Sequence, residues 1–137
     1  MEENNKSKKP IYSFRDLEVY QDSYRMMLDI AHQILPKLPE SEKYDLKDQL
    51  SRSSKAIPRL IAEGFAKKHQ KAGFQKYLDD AMAETNETIV SLEQVKDIYK
   101  IEIELCIKLI QEYDVIARRI FKLAEAWDTF INRRRKP

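Results

Sequence analysis

The sequence predicts an all-α protein, an up-down-up-down antiparallel four-helix bundle. Three observations predict it. Glycine is nearly absent, with only Gly64 and Gly73, so the tight turns of a sheet have few residues to build them. Apolar residues recur at steps of three and four through most of the chain, the period of a helix. The breaks in that pattern are short, so consecutive helices should be antiparallel neighbours. The expected helices are about 14–37, 42–66, 71–99 and 102–132.

A chain of 137 residues fits one domain and can bury a core without disulfides or a metal. Cys106 is the only cysteine, so no intrachain disulfide forms. No apolar run is long enough to span a bilayer. The first ten residues are polar and lack the apolar stretch of a signal peptide. The expectation is a cytoplasmic protein without a membrane partner or cofactor. Residues 1–13 read as a flexible basic arm, 14–132 as the bundle and 133–137 as a basic tail.

In the first helix, Ser13 is an N-cap candidate and Asp16 suits the dipole of the first turn. Leu17, Tyr20, Tyr24, Met27, Ala31, Ile34 and Leu38 form its expected stripe, and the run around Pro36 and Pro39 ends it. Ser41 and Glu42 signal the second start. The second helix presents Leu46, Leu50, Ser54, Ile57, Ile61 and Phe65 on one face, with Ser53 and Ser54 small enough for close helix approach. Pro58 should kink it, Gly64 is a candidate for the point where it loosens or ends, and its end is expected between Gly64 and His69.

The third helix lacks a good N-cap and carries Phe74, Leu78, Ala81, Thr85, Thr88, Leu92, Val95 and Tyr99. The fourth has the longest pattern: Ile103, Cys106, Ile110, Tyr113, Ala117, Ile120, Ala124, Trp127 and Ile131 form a heptad-like seam. A second row, Leu105, Leu109, Ile116, Leu123 and Phe130, runs beside it. Two rows exceed the one stripe that a bundle core needs. The surplus fills a wide core or buries against another subunit.

The net charge of +2 is unevenly spread. From Arg52 to Leu78, seven Lys or Arg stand against one acid, a net +6; from Asp79 to Glu104, eight acids stand against two Lys, a net −6. Arg52, Lys55 and Arg59 fall within roughly 60° of one another on a helix, opposite the apolar stripe. With Lys67, Lys68 and Lys71 they form a candidate phosphate-binding surface; a solvated helix face gives the same pattern. Arg133, Arg134 and Arg135, followed by Lys136, are a second basic candidate, and Lys6, Lys8 and Lys9 a third. Glu63, the one acid in the basic stretch, stands four residues before Lys67 and could pair with it.

An enzyme would need more. Asp80, Glu84 and Glu87 share a helix face, and Asp45 and Asp48 are the best second set for a metal-dependent nucleotide phosphohydrolase. Neither His32 nor His69 follows a glutamate at di-iron spacing. Cys106 lies on the seam and reads as a small apolar residue. There is no phosphate loop, triad pattern or zinc spacing. The expectation is a non-enzyme without a catalytic residue or a metal site.

The order of features resembles the family of small bacterial four-helix-bundle proteins associated with intervening sequences in 23S ribosomal RNA genes. Phe14-Arg15-Asp16-Leu17-Glu18-Val19-Tyr20-Gln21 resembles the family's opening, with Tyr20 where tryptophan is usual. Pro39, Glu42, Tyr44, Leu46, Gln49, Leu50 and Arg52 follow at the family's spacing. Ile57-Pro58 and Ile61-Ala62-Glu63-Gly64-Phe65 resemble its signature. Ala56 and Leu60 replace a serine and an asparagine of that signature, so no polar role carries over from them.

The resemblance implies a homo-oligomer, a pentamer of four-helix protomers. It is similar, more distantly, to accessory proteins that serve a reverse transcriptase in diversity-generating retroelements. The implied partners are the chain itself, a nucleic acid such as structured RNA, and a reverse transcriptase or ribosomal RNA. The leading expectation is a non-enzymatic, homo-oligomeric nucleic-acid-binding protein, acting alone or beside a nucleic-acid enzyme. The alternatives are a purely structural or protein-interaction module and a metal-dependent phosphohydrolase.

Overall fold

A computed structural model describes the backbone of residues 10–135 and the side chains through Asp128. Four α-helices follow in chain order: α1 (Glu18–Asp29), α2 (Leu46–Ala66), α3 (Gly73–Gln94) and α4 (Ile103–Arg135). No strand occurs among the described residues. Contacts are densest between α2 and α3 and between α3 and α4, fewer between α1 and α2, and fewest between α1 and α4. That order is a four-helix bundle closed by its first and last helices. One core runs through it, from Met26, Ile30 and Ile34 on the α1 side to Leu109, Tyr113, Ile116 and Ile120 on α4.

The first helix starts later than the pattern predicts. Ser13 caps a 3-10 turn, Phe14–Asp16, rather than the helix itself. The Asp16 carboxylate accepts from the backbone N–H groups of Tyr12 and Ser13, each at 2.9 Å, while Ser13 Oγ accepts from Arg15 N at 3.1 Å. This capping box satisfies donors that a turn would leave orphaned. Leu17 is then extended (φ −77°, ψ 125°), and α1 begins at Glu18.

The break also rotates the helix. The buried positions are Val19, Ser23, Met26, Ile30 and Ile34, while Tyr20, Met27 and Ala31 are half-buried and Tyr24 is 44% exposed. The expected stripe is therefore one residue off from Tyr20 to Ala31, while its ends, Leu17, Ile34 and Leu38, are buried as expected. Ser23 can take a core position because its hydroxyl donates to the Tyr20 carbonyl at 3.1 Å, so no buried donor is orphaned. A π-helical turn, Ile30–Ile34, and a 3-10 turn, Leu35–Lys37, end the segment. Ile34 keeps its place in the core through this change of winding.

The second start signal is also displaced. Ser41 and Glu42 lie in a 3-10 turn, Glu40–Glu42, and α2 begins at Leu46. Glu42 still serves the helix: its Oε1 accepts from Leu46 N at 3.1 Å, and its Oε2 accepts from the Tyr99 hydroxyl. Those two donors hold its carboxyl below the ordinary glutamate range. One side chain thus ties the start of α2 to the end of the third helical segment.

Helix α2 runs unbroken through Pro58, and its expected face, Leu46, Leu50, Ser54, Ile57, Ile61 and Phe65, is buried. Gly64 does not loosen the helix. It is buried inside it, and a Cβ there would stand 2.7 Å from Tyr77 Cβ and 3.0 Å from Phe74 Cδ1. The glycine is a crossing point that lets α3 come close. Higher up, the Thr88 and Ser53 hydroxyls meet at 2.8 Å.

Gly73 opens α3, where a Cβ would stand 2.2 Å from the Lys67 carbonyl oxygen. Both glycines therefore supply room rather than unusual backbone angles. The left-handed positions are Ala72 (φ 55°), Lys100 (φ 56°) and Glu102 (φ 45°), at a cost of about 1–2 kcal/mol each relative to right-handed geometry. The α3 segment ends in a π-helical turn, Val95–Tyr99, before those last two residues reverse the chain.

On α4 the core takes residues from both apolar rows: Cys106, Tyr113, Ile120 and Ala124 from one, Leu109 and Ile116 from the other. The seam is not straight, because Ile103 at its start is 41% exposed. The helical backbone continues through Arg135, into the stretch read as a basic tail.

Candidate functional site

Burying Leu50, Ile57 and Ile61 turns the opposite side of α2 to solvent, and Arg52, Lys55 and Arg59 are all exposed there. They do not act as one row. Arg52 Nη1 stands 3.6 Å from the carboxylate of Asp48, one turn earlier on α2 itself. It borders a cleft of about 490 Å³ shared with Tyr44, Asp48, Glu84 and Glu87. Burial, then the charges of Glu87 and Asp80, push the Glu84 carboxyl up, with Arg52 opposing. The two carboxylate sets considered for metal chemistry thus meet in part, through Asp48, Glu84 and Glu87. An arginine stands among them, and among the described residues no group of His, Cys, Asp or Glu is placed to hold a metal ion.

Lys55 and Arg59 turn the other way, toward α1. Together with Phe14, Tyr20, Tyr24, Met27, Pro58 and Ala62 they line a groove of about 330 Å³. The groove is built locally. The capping box fixes the N-terminal turn and so places Phe14. The Gln21 side-chain amide donates to the Arg15 carbonyl at 2.7 Å and holds that turn against α1. Phe14 meets Tyr20 edge-on at 4.8 Å, Arg15 lies over the Phe14 ring at 4.5 Å, and Tyr20 and Tyr24 lie 5.9 Å apart at 33°. No described carboxylate forms an ion pair with Lys55 or Arg59.

The remaining basic candidates lie elsewhere. Lys67 and Lys68 follow α2, with Lys67 Nζ 5.8 Å from the Tyr77 ring centroid and Lys68 Nζ 4.1 Å from that of Phe65. The expected Glu63–Lys67 pair does not form. Trp127 Nε1 donates to the Lys68 carbonyl at 3.4 Å, which anchors the connection against α4. Lys71 is exposed in that connection. The side chains of Arg133, Arg134 and Arg135, and the lysines at 6, 8, 9 and 136, lie outside the described residues.

Cys106 is buried, its thiol donates to the Ile101 carbonyl at 3.6 Å, and burial pushes it up to about 11. A thiol so held is a poor nucleophile at neutral pH. Between α1 and α4, Arg25 meets Glu112 at 3.3 Å and Arg119 meets Asp22 at 3.1 Å. These pairs close the bundle and leave little free charge at that seam.

Sequence reasoning found the cations of the groove but missed its aromatic wall. Tyr20, Tyr24 and Met27 read as core because their spacing is helical. Two signals pointed outward: the Ser13-to-Asp16 capping box, which separates Phe14 from α1, and Val19, Ser23 and Met26, an equally regular stripe one residue away.

These features define a class: small four-helix proteins whose first two helices enclose a basic and aromatic groove. The chain belongs to the 23S rRNA-intervening sequence protein family, whose family model matches residues 15–122. No curated protein matches the chain. The two stretches that carry the family resemblance meet at this groove, Phe14 and Tyr20 from the opening and Pro58 and Ala62 from the α2 signature. No helix among the described residues is long and apolar enough to cross a membrane.

Proposed function

We propose that this protein is a non-enzymatic, homo-oligomeric nucleic-acid-binding protein that engages phosphates through the outer face of α2. One observation carries the reading: Lys55 and Arg59 stand exposed, one helical turn apart, with no described carboxylate to neutralise them. Cations without a described ion-pair partner, a state that Lys55 and Arg59 share with Lys67, Lys68 and Lys71, suit an anionic polymer. Lys67, Lys68 and Lys71 extend the basic surface beyond the end of α2. RNA is the first substrate to try, given the ribosomal RNA association in the family's name.

The oligomer rests on a different surface. Ile103, Ile107 and Phe121 are 41%, 43% and 52% exposed, and helical geometry puts them on one side of α4. A second copy would cover that strip, and a pentamer is the assembly that the family resemblance implies. A ring of protomers would also repeat the cations of α2 and multiply a weak contact.

The test is RNA binding against salt for the wild type and for Lys55→Glu with Arg59→Glu. The wild type should bind at about 50 mM salt and lose at least tenfold by about 200 mM. The double variant should lose most of that binding and flatten the salt dependence, with unchanged helicity. Unchanged binding would overturn the assignment to α2. If no RNA or DNA binds at low salt, the second reading stands, a protein-interaction module whose working surface is the exposed strip on α4.

A further inference from the structure

We propose that the groove between the N-terminal turn, α1 and α2 takes an unpaired nucleotide, its base against the Tyr20 and Tyr24 rings and its phosphates on Lys55 and Arg59. The inference deepens the nucleic-acid reading and rests on it, because it names which form of the polymer the site selects.

The argument starts from what the groove combines. Its walls are aromatic and apolar, from Phe14, Tyr20, Tyr24, Met27, Pro58 and Ala62, and its charged members are two cations, Lys55 and Arg59, with no acid. A purely electrostatic contact to a duplex needs cations but no aromatic wall. An apolar docking peptide needs the wall but gains nothing from unpaired cations. A single-stranded nucleotide uses both, since every base has a face to stack and every link has a phosphate to pair. In a duplex the bases are already stacked and cannot enter.

The size and the rigidity fit. A cleft of about 330 Å³ lies at the lower end of the range for small-ligand sites, about 300–1,000 Å³. Tyr20 packs edge-on against Phe14, and the turn that carries Phe14 is held by the capping box and by Gln21. The wall therefore needs little ordering when a base arrives, which preserves affinity. Lys55 and Arg59 stand four residues apart on one helix, so their Cβ atoms are about 5–6 Å apart and can serve neighbouring phosphates of a strand that runs along α2. Tyr24, 44% exposed, is the ring an incoming base reaches first.

The experiment uses the full chain and two RNA probes of one sequence, a 12-nucleotide single strand and its perfect duplex. Each carries a fluorescent label, and a second single strand carries 2-aminopurine. Wild type should prefer the single strand by at least about tenfold and quench 2-aminopurine as it stacks. Tyr24→Ala should lose at least about fivefold on the single strand, Tyr24→Phe should retain it, and neither should alter duplex binding. Ala62→Leu, which fills the groove without touching a charge, should abolish the preference.

Equal affinity for both probes, insensitive to Ala62→Leu, would overturn the inference and leave the nucleic-acid reading intact. Absence of binding to either probe would overturn both. A change of oligomer mass in Tyr24→Ala with loss of both probes would also overturn it, by making the groove a contact between subunits. Circular dichroism and the duplex arm identify a variant that misfolds, and Ala62→Leu and Tyr24→Ala, on different helices, provide independent readings.

Discussion

The two sides of α2 meet their neighbours by opposite means. Toward α3 the contact is close and made of small residues: Gly64 faces Tyr77 and Phe74, and the Ser53 and Thr88 hydroxyls meet at 2.8 Å. Toward α1 the upper contact is held apart by large rings, and a groove of about 330 Å³ remains. Beside Gly64 the helix is thus locked against α3, while nearer Arg52 that flank opens into the acidic cleft of about 490 Å³ and the other flank opens into the smaller, basic groove. The difference teaches where a ligand can be accommodated without moving the fold. Asp48, Glu84 and Glu87 line the cleft on the α3 flank, whereas the groove on the α1 flank carries only the cations Lys55 and Arg59, so charge, not the presence of space, separates the two as sites for an anion.

The largest effect should come from breaking the close flank. Gly64→Val places a Cβ 2.7 Å from Tyr77 Cβ, a carbon fixed to the α3 backbone and unable to swing away. Glycine in a helix interior costs about 1 kcal/mol relative to alanine, so the substitution gains something locally. The overlap outweighs it, and valine adds two γ-carbons beside the Phe74 ring. A net loss of about 3 kcal/mol is expected, read as a lower urea midpoint with an unchanged slope. A stability within 1 kcal/mol of wild type would show that α2 and α3 can separate cheaply.

A smaller effect tests the hydroxyl pair on the same flank. Ser53→Ala removes one partner, but Thr88 Oγ1 keeps the Glu84 carbonyl at 2.9 Å as an acceptor. No buried donor is orphaned, so the loss should be about 0.5–1 kcal/mol, the net value of one hydrogen bond. Thermal unfolding of Ser53→Ala beside Thr88→Ala checks this. A much larger loss for Ser53→Ala would mean that its hydroxyl also supports the turn below it, through the Leu50 carbonyl at 3.5 Å.

The close flank was legible in the sequence and the open one was not. Ser53, Ser54 and the stripe from Leu46 to Phe65 read correctly because α2 keeps one winding for its 21 residues. Small residues on a buried face also announce close approach. The helix ends at Ala66, within the expected range from Gly64 to His69, but Gly64 itself does not loosen it: only the position of α3 shows that the glycine makes room. The α1 side was hidden by a change of winding. A capped 3-10 turn and an extended Leu17 precede α1, and a π-helical turn follows it, so a constant helical period misassigns Tyr20, Tyr24 and Met27. Helical angles did place Arg52, Lys55 and Arg59 on one solvent side. They could not divide the three, because which way a long side chain turns depends on the neighbours it finds.

The smallest effect on stability should come from Ala62→Leu, and it sharpens the contrast most. Like Gly64→Val it adds three carbons to α2, two residues away, yet it does so on the open flank. Ala62 is half-buried at the edge of the groove, where the added carbons meet space and aromatic carbon rather than backbone. Leucine is nearly as good a helix former as alanine, and burying the new methyl groups against Tyr24 and Met27 is favourable by up to about 1 kcal/mol per carbon. The variant should therefore be as stable as wild type or more stable by about 1 kcal/mol, while it loses the preference for a single strand. Stability and binding would then move independently at one residue. That outcome assigns the open flank of α2 to a ligand, because a groove that served only the packing of α1 would improve, without other consequence, when filled.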